Sequence, residues 1–259
     1  MKKILCVLCV LMLLTALFAS CNNTPPAQET GTGGEESETP STQGTGEGGE
    51  KSEASSENTV SVGDTLFLGS YEQDNRTENG KEAIEWKVLK VENGKALVVS
   101  YYALDVKLYH ETQADVTWEN CTLRTWLNND FYNAAFTAEE QTKILTTTVV
   151  NADNLVCGTD AGNDTSDRIF LLSISEAERY FASDEARVCQ ATAYTIAQGA
   201  LIVTNMDGYG NTMWRLRSPG SNGKSAAMIF YDGNVRVEGN AVNGINYAVR
   251  PAFWIDLES

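Results

Sequence analysis

Arginine and tryptophan side chains that could form a binding surface concentrate near the end of this 259-residue chain, within residues 213–255. A tryptophan ring can stack on a sugar or a peptide, and a guanidinium group presents planar pairs of hydrogen-bond donors. The alternative is structural, because tryptophans also fill the cores of modest domains and a buried arginine often pairs with a carboxylate. The candidate ligand-binding residues are Trp214, Arg215, Arg217, Arg250 and Trp254.

A second candidate site is an acidic loop, residues 157–167, in which glycines flank several hard oxygen ligands. Calcium prefers such ligands, so this loop is a candidate calcium site. Its spacing differs from that of an EF-hand loop, and Asx side chains form ordinary turns with the same residues, so a turn is the alternative. The candidate ligands are Asp160, Asn163, Asp164 and Asp167.

Residues for familiar catalytic mechanisms are scarce. His110 is the only histidine, and no GxSxG-type nucleophile motif accompanies it, so a hydrolytic triad is not indicated. No motif singles out a pair of carboxylates for glycoside cleavage. The sequence therefore predicts no catalytic residue, and an enzyme with carboxylates that no motif identifies stays open as an alternative.

Three cysteines follow the N-terminal region, Cys121, Cys157 and Cys189. This odd number allows one disulfide and one free thiol, with no means of choosing the pair. Three buried free thiols that act as small hydrophobes are the favoured interpretation. No CxxC pair is present, so a structural zinc site is not indicated.

The first 58 residues are expected to lie outside the globular domain. Residues 1–21 contain Lys2 and Lys3, a short apolar run and small residues before Cys21, and they resemble a bacterial lipoprotein signal with Cys21 as the lipidated residue. An ordinary cleaved secretory signal is the alternative. Residues 22–58 contain eight glutamates and no aromatic or large aliphatic residue, which predicts a disordered acidic tether.

The remaining residues, 59–259, contain 27 acidic and 16 basic residues, a net charge of −11. This charge argues against binding to nucleic acid or to anionic lipid surfaces. It is compatible with cationic ligands or metal ions, although solubility alone explains it equally well.

The pattern of residues 59–259 predicts a single α+β domain of short antiparallel strands and hairpins with a few helices. Hairpin turns are predicted at Asn93-Gly94 and Asp232-Gly233. A strand over 249–255 closes the domain, with Pro251 indicating an edge or a bulge. A buried strand is predicted at 169–172, and helices at 117–136 (capped by Asn120 or Thr122), 138–144, 175–181 and 192–199.

Five motifs, in this order, resemble one family of exported bacterial proteins, the domain-of-unknown-function family DUF6273. They are WENCTLRTWLNNDF, RIFLLSISEAERYF, WRLRSPG, DGNV and AVRPAFWI. The resemblance implies an exported domain, often behind a lipoprotein signal, and it implies no activity. More remotely, the C-terminal module looks like a C-type lectin-like fold of the formylglycine-generating type, with Ala248 where that fold has glycine.

These observations lead to a prediction of a non-catalytic binding domain, anchored by lipid at Cys21 on the extracytoplasmic face of the cell membrane. The expected ligand is a carbohydrate or a protein, engaged through the C-terminal module. The alternatives are an enzyme that acts on the cell envelope and a structural envelope protein.

Overall fold

The computed structural model describes residues 59–259. The predictions for the signal of residues 1–21, the lipidation of Cys21 and the tether of residues 22–58 lie outside the described residues. Within the described part of the chain, no helix combines the length and the apolar character needed to cross a bilayer.

Two five-stranded sheets dominate the described residues. The first has the order β1-β2-β3-β12-β5, the second has the order β10-β9-β8-β11-β4, and β6 pairs with β7. The strands are Thr65–Tyr71 (β1), Glu82–Glu92 (β2), Lys95–Ser100 (β3), Asp105–Val106 (β4), Ile144–Leu145 (β5), Thr147–Val149 (β6), Thr165–Asp167 (β7), Trp214–Pro219 (β8), Ser225–Ile229 (β9), Val235–Ala241 (β10), Ala248–Val249 (β11) and Ala252–Asp256 (β12). The named strands pair antiparallel, apart from the parallel pair β8 and β11.

Short helices connect the strands. They are Thr122–Trp126 (α1), Tyr132–Ala135 (α2), Ala138–Lys143 (α3), Ile174–Tyr180 (α4), Asp184–Arg187 (α5) and Ala193–Ala197 (α6), with 3-10 turns at Trp118–Asn120 and Met206–Gly208. A π-helical turn, Leu127–Phe131, joins α1 to α2. Mixed helices and antiparallel strands confirm the predicted α+β class.

The hairpin prediction at Asn93-Gly94 is confirmed. Both residues have positive φ, 49° and 70°, which Asn and Gly tolerate best. The predicted turn at Asp232-Gly233 also forms, with Gly233 at φ 85°. It is longer than the two residues predicted, because the paired strands end at Ile229 and Val235.

The helix prediction over 117–136 holds for its buried face. Leu123, Leu127, Phe131 and Ala135 are buried at four-residue steps. In an ideal α-helix, residues four positions apart do not lie directly above one another, because one turn takes about 3.6 residues. The π-helical turn uses more residues per turn, and it therefore keeps these four side chains on one face. The predicted cap was wrong, because the N-cap is Cys121, whose sulfur accepts a hydrogen bond from the amide of Arg124.

The capping box of Thr137 and Glu140 is present as predicted. The box predicted at Ser175 and Glu178 was wrong by two residues, since Ser173 and Glu176 form it. Both pairs have the same spacing, so the local pattern could not choose between them.

The chain passes between the two sheets four times: after β3, after β4, between β5 and β8, and between β11 and β12. The predicted single strand over 249–255 was therefore wrong, because it is two strands in different sheets. β12 is an interior strand that pairs with β3 and β5, and Pro251 marks the crossing, where its carbonyl accepts a hydrogen bond from Ser100. The predicted strand at 169–172 is buried, but it forms one bridge, Phe170 to Ala252.

The three cysteines within residues 59–259 are free thiols; Cys121 and Cys189 are buried, and Cys157 is partly exposed. Burial raises the pKa of Cys121 to about 12 and also raises the pKa of Cys189.

Thiolates are the reactive form of cysteine. A short iodoacetamide pulse on the folded chain should therefore alkylate Cys157 and spare Cys121 and Cys189 until denaturant is added. Peptide mapping by mass spectrometry checks this, and equal labelling of all three would contradict the packing.

Candidate functional site

Four of the five predicted ligand-binding side chains are buried. The exposed fraction is 0% for Trp214 and Arg215 and 3% for Arg217 and Arg250, whereas Trp254 is partly exposed. A buried side chain contacts a ligand only where a cleft reaches it, so the surroundings of each residue decide what it can do.

Arg217 has a structural environment. Its guanidinium pairs with Glu176 of α4 and donates to the carbonyls of Leu171 at 2.7 Å and Val150 at 2.9 Å. Its Nε donates to Asn151 at 3.2 Å. These contacts tie β8 to α4 and to the segments beside it, as the structural alternative for the arginines predicts.

Arg215 is held at its terminal nitrogens, whereas its buried Nε has no hydrogen-bond partner among the described residues. Its terminal nitrogens donate to the carbonyls of Ala226 (3.1 Å), Asn240 (3.0 Å) and Ala241 (2.5 Å), and its carbon centre lies 3.9 Å from the Tyr247 ring centroid. Burial lowers the pKa of Arg215 to about 10. The guanidinium thus links β8 to the end of β10.

The two tryptophans differ in their surroundings. Trp214 lies in the core and donates its indole N–H to the carbonyl of Arg187 at 3.1 Å. Trp254 lies on the first sheet, where the ammonium groups of Lys90 and Lys95 lie 5.6 Å and 5.0 Å from its ring centroid. A ligand would compete with these two lysines for the face of Trp254.

Arg250 lies where the chain crosses between the sheets. Its Nε donates to the carbonyl of Ser100 at 2.9 Å, and its terminal nitrogens make longer contacts with the carbonyls of Arg187 (3.4 Å) and Tyr101 (3.5 Å). Its carbon centre lies 4.9 Å from the Trp214 ring and 5.3 Å from the Phe181 ring. Burial lowers the pKa of Arg250.

A cleft of about 370 Å³ opens beside Arg250, and we call it the junction cleft. It is formed by β2, the crossing after β3, α5 with the segment that follows it, the segment before β8 and the crossing between β11 and β12. The lining residues are Lys87, Tyr101, Tyr102, Glu185, Ala186, Val188, Gln190, Asn211 and Arg250.

Backbone hydrogen bonds position these lining residues. The backbone amide of Tyr101 donates to the backbone carbonyl of Glu85 in β2 at 2.8 Å. The amide of Ala103 donates to the backbone carbonyl of Gln190 at 2.9 Å. Gln190 forms a bridge with Asn211. The two amide side chains and the two tyrosines are therefore placed by segments that are far apart in the chain.

The chemistry of the junction cleft suits polar ring ligands. Tyr101 is 46% exposed, and its ring stands edge-on to Tyr102 at a centroid distance of 5.0 Å. Glu185 is the single carboxylate of the lining, and hydrogen bonds from its own backbone amide and from Ser183 lower its pKa. A carboxylate that stays ionised beside side-chain amides can accept and orient hydroxyl groups.

The predicted calcium ligands are used in other hydrogen bonds. Asp167 is buried and accepts from Trp118 at 2.9 Å, from Arg124 at 2.6 Å and from the Thr165 hydroxyl at 2.7 Å. Asp164 accepts from the amide of Asn151, and Asp160 accepts from that of Gly162. Asn163 donates to Glu119. These contacts are the turn and packing roles of the alternative, and calcium binding here stays a prediction.

An acidic cluster that the sequence reading did not single out lies at the loop between β1 and β2. Oxygen atoms of Glu72, Asp74 and Glu82 lie within 4.8 Å of one another, so these residues could hold a divalent cation. Each of the three also accepts backbone amides of the loop. The sequence feature that could have indicated this cluster is the Glu72-x-Asp74 pair before the polar loop, although such pairs are common in turns.

The sequence reading also missed most of the junction cleft. Tyr101, Tyr102, Glu185, Gln190 and Asn211 belong to no motif, and only Arg250 was a candidate. The one sequence feature that could have indicated the cleft is the pair of adjacent tyrosines, Tyr101 and Tyr102, directly after a predicted strand. His110, the single histidine, is partly buried and is not among the lining residues of this cleft.

Comparison with known proteins identifies a family but no characterised relative. No curated protein and no solved structure matches the chain. The model of the family described as "Domain of unknown function (DUF6273)" matches residues 93–257. This match covers more than half of the chain, from the turn after β2 to the end of β12, and it bears out the family resemblance of the five motifs; the chain belongs to the DUF6273 family.

Proposed function

We propose that this chain is a lipoprotein, anchored through Cys21 on the extracytoplasmic face of the cell membrane, whose domain binds carbohydrate without transforming it. The junction cleft is the proposed binding site. The membrane is the partner at the lipid end, a glycan is the partner at the cleft, and nucleic acid is not an expected partner for a domain of charge −11.

One observation carries this proposal: a partly exposed tyrosine pair faces a cleft that also holds two side-chain amides, one carboxylate and two cationic groups. An amphipathic ring offers an apolar face to a sugar ring, and the polar groups match its hydroxyls. The single lining carboxylate supports binding over glycoside cleavage, because the usual cleavage mechanisms require two carboxyl groups.

The predicted C-terminal ligand-binding residues keep unequal roles in this proposal. Arg250 contributes directly as one of the residues that line the cleft. The ring of Trp214 packs against the guanidinium of Arg250, while Arg215 and Arg217 stabilise the second sheet and its contact with α4. Trp254, partly exposed on the first sheet, is an accessory contact in this proposal.

The lectin-like resemblance belongs to the same proposal. It is supported by the order of the C-terminal elements: the strand that carries Trp214 and Arg215, a hairpin of β9 and β10, and closing strands on either side of Arg250. The export signal and acidic tether of the sequence would place such a module at the cell surface.

The test is glycan-array screening of the full-length chain in detergent, followed by titration of each hit. Tyr101→Ala should weaken the dissociation constant of the hit about tenfold or more, because a central aromatic contact is worth over 1 kcal/mol. The control is Trp126→Ala, which removes a partly exposed aromatic ring from a different cleft and should leave the affinity unchanged.

Three outcomes would contradict the proposal. One is the absence of a saturable glycan. Another is equal loss of affinity in the two variants. The third is a shortened or modified sugar, found by mass spectrometry after incubation, which would favour an enzyme that acts on the cell envelope.

A further inference from the structure

We propose that the junction cleft selects sugars that carry a carboxylate, with Arg250 and Lys87 as the groups that bind it. This inference rests on the proposed carbohydrate-binding function and names the class of sugar.

The charge of Arg250 has no counter-ion among the described residues. Buried Arg187 pairs with Asp184, and buried Arg217 pairs with Glu176, whereas no carboxylate of residues 59–259 lies within 4.0 Å of Arg250. A buried charge is costly unless an opposite charge or strong hydrogen bonds compensate it. An anionic ligand would supply that compensation.

The hydrogen bonds of Arg250 leave donors for such a ligand. Each terminal nitrogen of a guanidinium carries two N–H groups. In Arg250 these nitrogens make one long contact each, at 3.4 Å and 3.5 Å, whereas Arg215 makes three contacts of 2.5 to 3.1 Å with carbonyls. Arg215 likewise has no carboxylate within 4.0 Å among residues 59–259, but carbonyls occupy its terminal nitrogens and only its Nε lacks a partner. Arg250 differs in that its terminal nitrogens make only long contacts and it lines a cleft.

Lys87 adds a second positive charge to the same cleft. Its ammonium lies 5.6 Å from the centroid of the Phe181 ring, and the Arg250 guanidinium lies 5.3 Å from the same centroid. No carboxylate in residues 59–259 lies within 4.0 Å of Lys87 either. Two cations without a carboxylate within 4.0 Å therefore line this cleft, although residues 59–259 carry a net charge of −11. The carboxylate of the ligand would be held between a planar donor group and a point charge.

The experiment compares a uronic-acid oligosaccharide with its methyl ester, each titrated calorimetrically into the full-length chain in detergent. The free acid should bind at least tenfold more tightly, and added salt should weaken only the free acid. Lys87→Gln should lower the ratio of the affinity for the free acid to that for the ester by about tenfold. The matched control is Lys143→Gln, another partly exposed lysine with no carboxylate within 4.0 Å among residues 59–259, which should keep the preference.

Lys87 is the residue to change because Arg250 also holds the sheet crossing, and circular dichroism of Lys87→Gln checks that the fold is kept. Equal affinity for acid and ester would overturn the inference while leaving carbohydrate binding in place. A full preference in Lys87→Gln would overturn the role of Lys87. Tighter binding of a peptide with a free C-terminus would overturn the assignment to sugars, and binding of none of these ligands or array hits would overturn both proposals.

Discussion

Arg250→Leu should lower the free energy of unfolding by about 3 kcal/mol. The leucine fills part of the space but leaves the carbonyl of Ser100 without its guanidinium donor, a loss of about 1 to 3 kcal/mol, and it removes the contacts of the guanidinium with the Trp214 and Phe181 rings. The carbonyl of Tyr101 keeps the Cys189 thiol as a donor. The carbonyl of Arg187 keeps the indole of Trp214 as a partner, so it adds little. Removal of an unpaired buried charge offsets part of the loss.

The measurement is urea denaturation of the full-length chain, followed by tryptophan fluorescence and analysed at a common slope. The matched control is Arg179→Leu, an exposed arginine on α4, for which a change within about 0.5 kcal/mol is expected. Similar losses in the two variants would show that Arg250 does not hold the crossing after β3 to the crossing after β11.

Gly233→Ala should cost at least about 3 kcal/mol of stability. A methyl group at this position would lie 1.7 Å from the carbonyl oxygen of Asp184, and the backbone φ of +85° already strains any residue with a Cβ. Backbone cannot yield as a flexible side chain can, so either the hairpin turn or α5 must move. Gly80→Ala is the matched control, since its φ is +93° and nothing lies within 4 Å of the added methyl. Strain alone should cost that variant about 1 kcal/mol.

The same substitution should reduce ligand affinity. The carbonyl of Gly233 accepts a hydrogen bond from Nε of Arg187 at 2.9 Å, and α5 forms one wall of the junction cleft. Calorimetric titration with the array hit should therefore show weaker binding for Gly233→Ala and unchanged binding for Gly80→Ala. Equal thermal stability of Gly233→Ala and Gly80→Ala would mean that α5 does not pack tightly against the turn that contains Gly233.

Features that depend on a few adjacent residues were predictable. The turn at Asn93-Gly94, the capping box of Thr137 and Glu140 and the four-residue steps from Leu123 to Ala135 follow from local backbone and side-chain rules. The box at Ser173 shows the limit of such rules, because Ser175 matches the same pattern. Glu176 of the box that forms also pairs with Arg217, a contact 41 residues away that the local pattern does not contain.

The candidate site was predictable only in small part. Arginine and tryptophan were recognised by type, but their burial was not predictable, because elements distant in the sequence cover both faces of β8. The junction cleft joins Lys87, Tyr101, Gln190, Asn211 and Arg250. Segments so distant have no common spacing in the sequence, so no motif could have revealed them.

The sequence by itself determined the α+β class, the family, the turn at Asn93-Gly94 and the capping box of Thr137 and Glu140, because composition and short-range hydrogen bonding act between near neighbours. Only the tertiary structure decided that the chain crosses between two sheets at Pro251, that Arg250 lies at that crossing and that a cleft opens beside it. The physical reason is that burial and charge pairing are set by residues up to 150 positions apart, as in the hydrogen bond from Arg250 to Ser100. The arginine- and tryptophan-rich C-terminal segment is therefore mainly a closure of the core, and Arg250 is the residue through which it reaches the proposed ligand.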